Sequence, residues 1–283
     1  MLRWTCCLCT VGQVVHTLFE GERVAGVTLL ADELYLLREE RDRVVEVYDV
    51  VTYTLQRRLT VPGCRGFVDI TSCGHYRCVY IGDHIAACVH RLDVEGTSTR
   101  WAVNDKPRGL SVNAARNVLV ACRDARKIKE FSSDGGLIRQ LSTGLHGDIV
   151  HPWHAIQLTN NQLVVCHGDE SNALHAVCKL TGDGGNIIDS HGGQQGSDTG
   201  QYNVPGHLAV DVNDFVFVAD INNQRVTLLS PKLEYVREVL SRDEFKWRPR
   251  RLYLDVKRRR LYVTDTQYRG GNNRSGRVVV CSV

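Results

Sequence analysis

Apolar residues along this chain come in short, strand-sized runs, cut by Asp, Asn, Gly and Pro, and no run keeps a helical period over the length of a helix. The clearest stretch is residues 192–230. It opens with a Gly-rich turn region, 192–200, and a Pro205-Gly206 pair, followed by a short apolar strand at 208–210. A polar turn at 211–214 leads to a second run, 215–219, which Asp220 stops. Asn222, Asn223 and Gln224 then turn the chain into a third run, 225–229, and a fourth follows at 235–240. Strands of this length with turn chemistry between them predict a four-stranded antiparallel meander. One such sheet cannot bury both faces, so it needs neighbours.

Weaker copies of the unit recur along the chain. Pro107, Pro152, Pro205 and Pro249 precede first strands at spacings of 45, 53 and 44 residues, Gly66 to Gly109 is 43, and Gly26 to Gly66 is 40. A period of about 40–50 residues with four strands per unit predicts an all-β fold, a six-bladed β-propeller. The units begin near residues 24, 64, 106, 152, 192 and 248. The sixth stops one strand short, and QVVHTLFEG at 13–21 is left over before the first. Pairing it with RVVVCSV at 277–283 would close the ring and remove two open edges. The expected organisation is an extension over residues 1–12 and one propeller over 13–283. The stretch 182–200 reads as a turn-rich insertion that precedes a strand, so it is no phosphate cradle.

Residues 193–229 resemble an NHL repeat. The resemblance rests on Gly193, Gly196, Tyr202, Pro205, LAVD (208–211), VFVAD (216–220) and NQRV (223–226), with His207-Leu208 where Gly-Ile is usual. It implies the propeller found at the C-terminus of tripartite-motif proteins, without their RING, B-box and coiled-coil parts, and hence a non-catalytic recognition module. Single-stranded RNA is the first ligand it implies and a protein or peptide the second, in a role such as post-transcriptional regulation or ubiquitin-ligase substrate reception.

Composition narrows this only a little. The 283 residues carry a formal net charge of +3, which permits a nucleic-acid partner without demanding one. No apolar run approaches membrane-span length, and Met1 to Cys9 lacks the apolar core of a secretory signal. Cys88, Cys122, Cys166, Cys178 and Cys281 fall inside strand runs, as reduced buried thiols do, so a cytoplasmic, monomeric protein is expected. Cys6, Cys7 and Cys9 have no partner pair at zinc-ligand spacing and read as incidental thiols.

Candidate chemistry gathers on the rim shared by the loops before first strands and those between second and third strands. Lys246, Trp247, Arg248, Arg250 and Arg251 lie beside Tyr268, Arg269, Asn272, Asn273 and Arg274 on the sixth unit, with Arg225, Asn222, Arg108, Arg65 and Trp153 on others. Arginine pairs phosphates, aromatics stack bases and amides read base edges, so this rim is the candidate RNA or partner surface. Acids share the rim, and Asp220–Arg225, echoed at Asp124/Lys127 and Asp265/Arg277, reads as a structural pair. Residues 257–260, on the opposite rim, read as a solvated basic turn. No cofactor, metal, membrane or small-molecule substrate is expected. No GxSxG, HExxH or phosphate-loop motif is present. The enzymatic alternative is a metal-dependent lyase or lactonase-like propeller, for which His154 and His207 are the candidate ligands.

Overall fold

A computed structural model describes residues 12–39, 43–142, 149–171, 173–184, 186–267 and 275–283. Six four-stranded antiparallel sheets follow one another around a ring. Blade 1 holds β2 (Val24–Leu30), β3 (Glu33–Arg38), β4 (Val44–Asp49) and β5 (Leu55–Thr60). Blade 2 holds β6 (Phe67–Cys73), β7 (Cys78–Asp83), β8 (Cys88–Asp93) and β9 (Ser98–Ala102). Blade 3 holds β10 (Gly109–Val112), β11 (Val118–Cys122), β12 (Lys127–Phe131) and β13 (Leu137–Ser142). Blade 4 holds β14 (Pro152–Gln157), β15 (Leu163–His167), β16 (Leu174–Leu180) and β17 (Ile187–Gln194). Blade 5 holds β18 (Pro205–Val210), β19 (Val216–Asp220), β20 (Arg225–Leu229) and β21 (Tyr235–Leu240). Blade 6 takes β22 (Pro249–Asp255), β23 (Arg260–Thr266) and β24 (Ser275–Ser282) from the end of the chain and β1 (Gln13–Glu22) from its beginning.

The closure expected from the missing strand is present. β1 pairs antiparallel with β24, from Gln13 opposite Ser282 to Glu22 opposite Ser275. One expectation is corrected. The Gly-rich stretch 182–200 is not wholly an insertion, because it contains β17, the outer strand of blade 4. Its alternation of half-buried and exposed residues is that of an outer strand, and its glycines hide that period from a hydrophobicity reading.

Burial explains the sequence pattern. β3, β7, β11 and β19 are buried nearly throughout, because both faces of an inner strand meet a neighbouring blade. Outer strands β5 and β13 instead alternate between half-buried and exposed. The apolar core is divided among the blade junctions. Leu119 and Ile128 of blade 3, for instance, pack with Leu163 and Val165 of blade 4. Val24, Val27 and Leu34 of blade 1 pack with Tyr262, Val278 and Val280 of blade 6, so the last junction is as apolar as the others.

A second recurring device fixes the rim. Asp83, Asp220 and Asp265, at or next to the ends of the second strands of their blades, accept hydrogen bonds from the backbone of the segment leading into the first strand: Arg65 N–H at 2.6 Å, Asn203 N–H at 2.8 Å and Lys246 N–H at 2.9 Å. In blades 5 and 6 the acid also holds the arginine opposite it on the third strand, Arg225 at 2.9 Å and Arg277 at 2.7 Å. The expected echo at Asp124 and Lys127 is corrected: Asp124 pairs with Arg108 and Arg123.

Candidate active site at the propeller axis

The first strand of a blade lies innermost, and its opening residues face the other blades across the ring. In blades 1, 2, 4, 5 and 6 this strand opens with a register shift, after which come Gly26, Asp69, His154, His207 and Arg251. In blades 1, 2, 4 and 5 each pairs with the residue one before the end of its second strand, in blade 6 Arg251 pairs with Thr264, just before Asp265, and in blade 3 Gly109 holds the same place opposite Ala121. A bulge re-aims the side chain that follows it. The equivalent positions therefore bring an Asp, two His and an Arg together from four blades. Gly109 makes room for them, since a Cβ there would come within 2.3 Å of the Trp153 carbonyl and 2.8 Å of the His154 ring.

All four side chains are buried. Arg251 Nε lies 3.0 Å from Asp69 Oδ1, and the guanidinium also donates to the carbonyls of Val68 at 2.7 Å and Arg108 at 3.0 Å. Asp69 further accepts from the Ile70 N–H at 3.0 Å, the Leu110 N–H at 2.8 Å and His207 Nε2 at 3.3 Å. His207 Nδ1 accepts from the Leu252 N–H at 3.2 Å, which places its single proton on Nε2, facing Asp69. His154 Nε2 faces the Leu110 carbonyl at 3.0 Å and must donate to it, so Nδ1 carries a lone pair, and it has no hydrogen-bond partner. The two imidazoles stack with centroids 3.8 Å apart.

The electrostatics follow from this packing. Burial pushes the Asp69 carboxyl up, but Arg251 and the histidines outweigh it and hold the group at about 2. Burial, reinforced by His207, holds His154 well below 6.5, and burial likewise lowers His207 against the pull of Asp69. Both rings are neutral at pH 7. Because the folded Asp69 lies below its ordinary 3.8, its contribution to stability is present above about pH 4 and is lost as pH falls toward 2. Asp169, held at about 2 against burial by Ser171 and Arg123, adds to the same window. Each is worth about 2 kcal/mol at neutral pH. Thermal melts should therefore show Tm falling steeply between pH 4 and 2 in wild type and less steeply in Asp69→Asn, and equal slopes would refute this assignment.

Could Asp69, His154 and His207 hold a metal? Their ligand atoms lie within 4.8 Å of one another. The donor set is nonetheless unsuited to a cation. Both Asp69 oxygens are already filled by donors, one of them a guanidinium. A metal-bound histidine donates its other ring N–H, whereas His207 accepts there. The axis is a cluster of ionisable groups satisfied largely by one another.

The rim residues have other employment. Lys246 pairs with Glu20 of β1 and lies over the Trp247 ring at 4.8 Å, while the Trp247 N–H donates to Asp265 at 2.9 Å. Arg248 donates to Asn222 Oδ1 at 2.5 Å, and Asn222 donates to Asn203 at 3.0 Å. Arg225 holds Asp220 and donates to the carbonyls of Ser197 and Gln201. Arg108 meets Asp124 at 3.7 Å. Trp153 donates to the Gly168 carbonyl at 2.6 Å under Arg123, 4.7 Å from the ring. Arg250 is half-buried and Arg65 exposed. Arg251, expected on the rim, is buried at the axis. Tyr268, Arg269, Asn272, Asn273 and Arg274 lie outside the described residues. On the opposite rim, Arg258 pairs with Asp255 and Asp32.

Sequence reasoning paired His154 with His207 only as candidate metal ligands, and it missed Asp69 and the place of Arg251 beside them. The signal was present as an offset: each is the third residue of Phe-Val-Asp, Pro-Trp-His, Pro-Gly-His or Pro-Arg-Arg. Lining the units up on those triplets shows the column.

No family model and no curated protein matches the chain. Several solved structures do. One is described as a streptogramin B lyase, with a TM-score of 0.66 and 10% identity over 95% of this chain and 96% of that one. Another is a catalytically inactive His-to-Ala variant of virginiamycin B lyase from Staphylococcus aureus with quinupristin, with a TM-score of 0.64 and 12% identity over 95% of this chain and 98% of that one. A third is the hydrazine synthase of Kuenenia stuttgartiensis, with a TM-score of 0.63 and 13% identity over 90% of this chain and 78% of that one. The expectation of a non-enzymatic, RNA-binding module is corrected here. The similar structures are described as enzymes, and most of the described rim cations and amides expected to meet RNA are engaged within the chain. At 10–13% identity the likeness establishes the fold: this chain is a six-bladed β-propeller.

Proposed function

We propose that the chain is a propeller enzyme of the lyase type, with Asp69, His154, His207 and Arg251 as its reaction centre. The observation that carries this reading is the convergence of four ionisable side chains at equivalent positions of four blades, with the Nδ1 lone pair of His154 left unpartnered. Buried titratable groups with shifted pKa values are where acid–base chemistry is found. The fold likeness to lyases, one of them inactivated by a His-to-Ala change, supports it.

In this reading His154 Nδ1 takes a proton from a substrate carbon. The C–H pair becomes a double bond, and the leaving group departs with its own bonding pair. Being neutral at pH 7, His154 needs no prior deprotonation. His207, held by Asp69 and Leu252, positions the ring it stacks on. His154 is 1% exposed, so turnover requires the mouth of the ring to open.

The test is incubation with cyclic depsipeptide lactones, quinupristin included, followed by mass spectrometry. Elimination opens the ring without changing mass, whereas hydrolysis adds one water. We expect an unchanged-mass product that falls at least 100-fold in His154→Ala at unchanged Tm. Equal turnover in the two proteins, or none with any lactone offered, would sink the reading. A water-added product would move it to a lactonase-like hydrolysis.

The NHL character of the blades is kept as a proposal about blade type, supported by the Asp220–Asn223–Arg225 wiring of the motif residues. A reducing, cytoplasmic setting is proposed alongside it, supported by the free thiols of Cys64, Cys73, Cys78, Cys88, Cys122, Cys166, Cys178 and Cys281.

A further inference from the structure

Blade 2 breaks the rule that blades 5 and 6 obey. There an acid at the end region of the second strand faces an arginine near the start of the third, Asp220 opposite Arg225 and Asp265 opposite Arg277, whereas the same ladder position in blade 2 sets Asp83 opposite Cys88. Asp83 keeps the structural part of the role, accepting from the amides of Arg65, Ile85 and Ala86. It is fully buried at 0% exposure, yet the guanidinium is gone. Among the described residues its ion-pair partner is His90, whose Nε2 lies 3.5 Å away. Burial keeps that imidazole below its ordinary range and uncharged at pH 7. Arg100, opposite His90 on β9, contributes charge from an exposed position. A buried carboxylate is ordinarily paired with a cation or bound to a metal.

Cys88 stands where the arginine would be, and Cys64, in the segment leading into the first strand, lies close to Asp83 as well. Cys88 Sγ is 3.4 Å from His90 Nε2, and the ligand atoms of Cys64, Asp83 and His90 lie within 4.8 Å of one another. We propose that Cys64, Asp83 and His90, with Cys88 beside His90 as the fourth ligand once its side chain turns inward, form a binding site for a thiophilic divalent cation of the zinc class.

The geometry is close to what such an ion requires. Metal–sulfur bonds of about 2.3 Å and metal–nitrogen or –oxygen bonds of about 2.0–2.1 Å give tetrahedral edges of roughly 3.3–3.8 Å. The Cys88–His90 and Asp83–His90 separations of 3.4 and 3.5 Å fall in that range, and Cys64 lies within 4.8 Å of Asp83 and His90, so the thiols must close in to complete the shell. Burial and then Asp83 push the thiols up, Cys64 to about 12 and Cys88 to about 11, so without metal both keep their protons. Binding exchanges those two protons for the dication, and Asp83, whose carboxyl is held below its ordinary range against burial by amide and thiol hydrogen bonds, gains a cation. The amides of Ile85 and Ala86 hold one Asp83 oxygen and that of Arg65 the other, orienting the carboxylate as an outer shell does; unlike Asp69, it has no guanidinium on it among the described residues, and His90 Nδ1 has no hydrogen-bond partner there. Cys64 is half-buried while the other three are buried, which makes it the side from which an ion enters. The axial cluster differs in its chemistry: it has its own guanidinium, and blade 2 has two sulfurs instead.

Cobalt(II) is the probe, in protein whose Cys6, Cys7 and Cys9 are replaced by serine so that those thiols cannot bind it. We expect one cobalt per chain, intense visible bands of a tetrahedral ion, a near-ultraviolet thiolate-to-cobalt band, and displacement by zinc. Zinc should also raise Tm. Cys64→Ser, at the half-buried position, should keep the fold by circular dichroism, bind at least tenfold more weakly and lose part of the thiolate band. His90→Gln provides a second variant with both thiols intact, and it too should weaken binding. No bound cobalt, cobalt without a thiolate band, or equal affinity in folded Cys64→Ser would each overturn the site. So would a Cys64–Cys88 disulfide in protein kept under reductant.

Discussion

A chain lacking residues 1–22 is expected to lose roughly 10 °C in Tm and to associate on standing. β1 is the outer strand of blade 6, although it comes from the other end of the chain. Its removal strips the ladder from Gln13–Ser282 to Glu22–Ser275 and leaves β24 as an open edge. It also removes Val14, Leu18 and Phe19, which pack on the apolar clusters of blades 5–6 and 6–1, with the Phe19 ring 4.2 Å from Tyr48. The Phe19 carbonyl, which accepts from Arg38, goes too. Three half-buried apolar side chains and a lost ladder amount to about 3–5 kcal/mol. For a domain of this size each kcal/mol is worth about 2–4 °C. The exposed edge of valines offers a pairing site to another copy. Differential scanning calorimetry with size-exclusion chromatography checks both parts, and an unchanged Tm would show that β1 does not hold the ring.

Replacing Arg251 by methionine should destabilise the protein by about 3–5 kcal/mol, because it leaves the Asp69 charge buried and removes the donors to Val68 and Arg108. Asp69→Asn alone should cost less, since the amide keeps the shape and part of the hydrogen bonding. The double variant is the informative one. If the two residues form one unit, it should lose less than the sum of the single losses, by roughly 1–3 kcal/mol. Strict additivity in urea unfolding would mean that the ion pair is not what ties blades 2 and 6 across the axis. Lys257→Met, on the opposite rim where both the lysine and its partner Asp32 are largely exposed, should cost about 1 kcal/mol or less.

Much of the fold was legible before any coordinates. Strand-sized apolar runs, turn residues at a spacing of 40–53, and a sixth unit lacking its fourth strand determined the six blades and the closure of β24 by β1. These are local properties, because an inner strand buried on both faces must be apolar throughout and a turn needs its own residues wherever it stands. The structural reading of Asp220 with Arg225 and of Asp265 with Arg277 came from the same source, since those partners lie across one strand pair. β17 was hidden because glycine has no side chain with which to show an outer strand's alternation.

Neighbourhood across the ring was not legible in this way. Arg251 reads as one more cation in KWRPRR, and only the bulge after Pro249 turns it inward to Asp69, in a different blade. His154 and His207 read as rim histidines, and ring closure stacks them at 3.8 Å. Cys64, Cys88 and His90 read as scattered residues until the β7–β8 ladder set Cys88 where blades 5 and 6 place an arginine. By itself the sequence determined what each blade is, because hydrophobic period and turn chemistry act within a few residues. Which ionisable groups share a dielectric, and therefore which are charged, was decided only by the tertiary structure, because Coulomb interaction and desolvation depend on distances that close only when all six blades do.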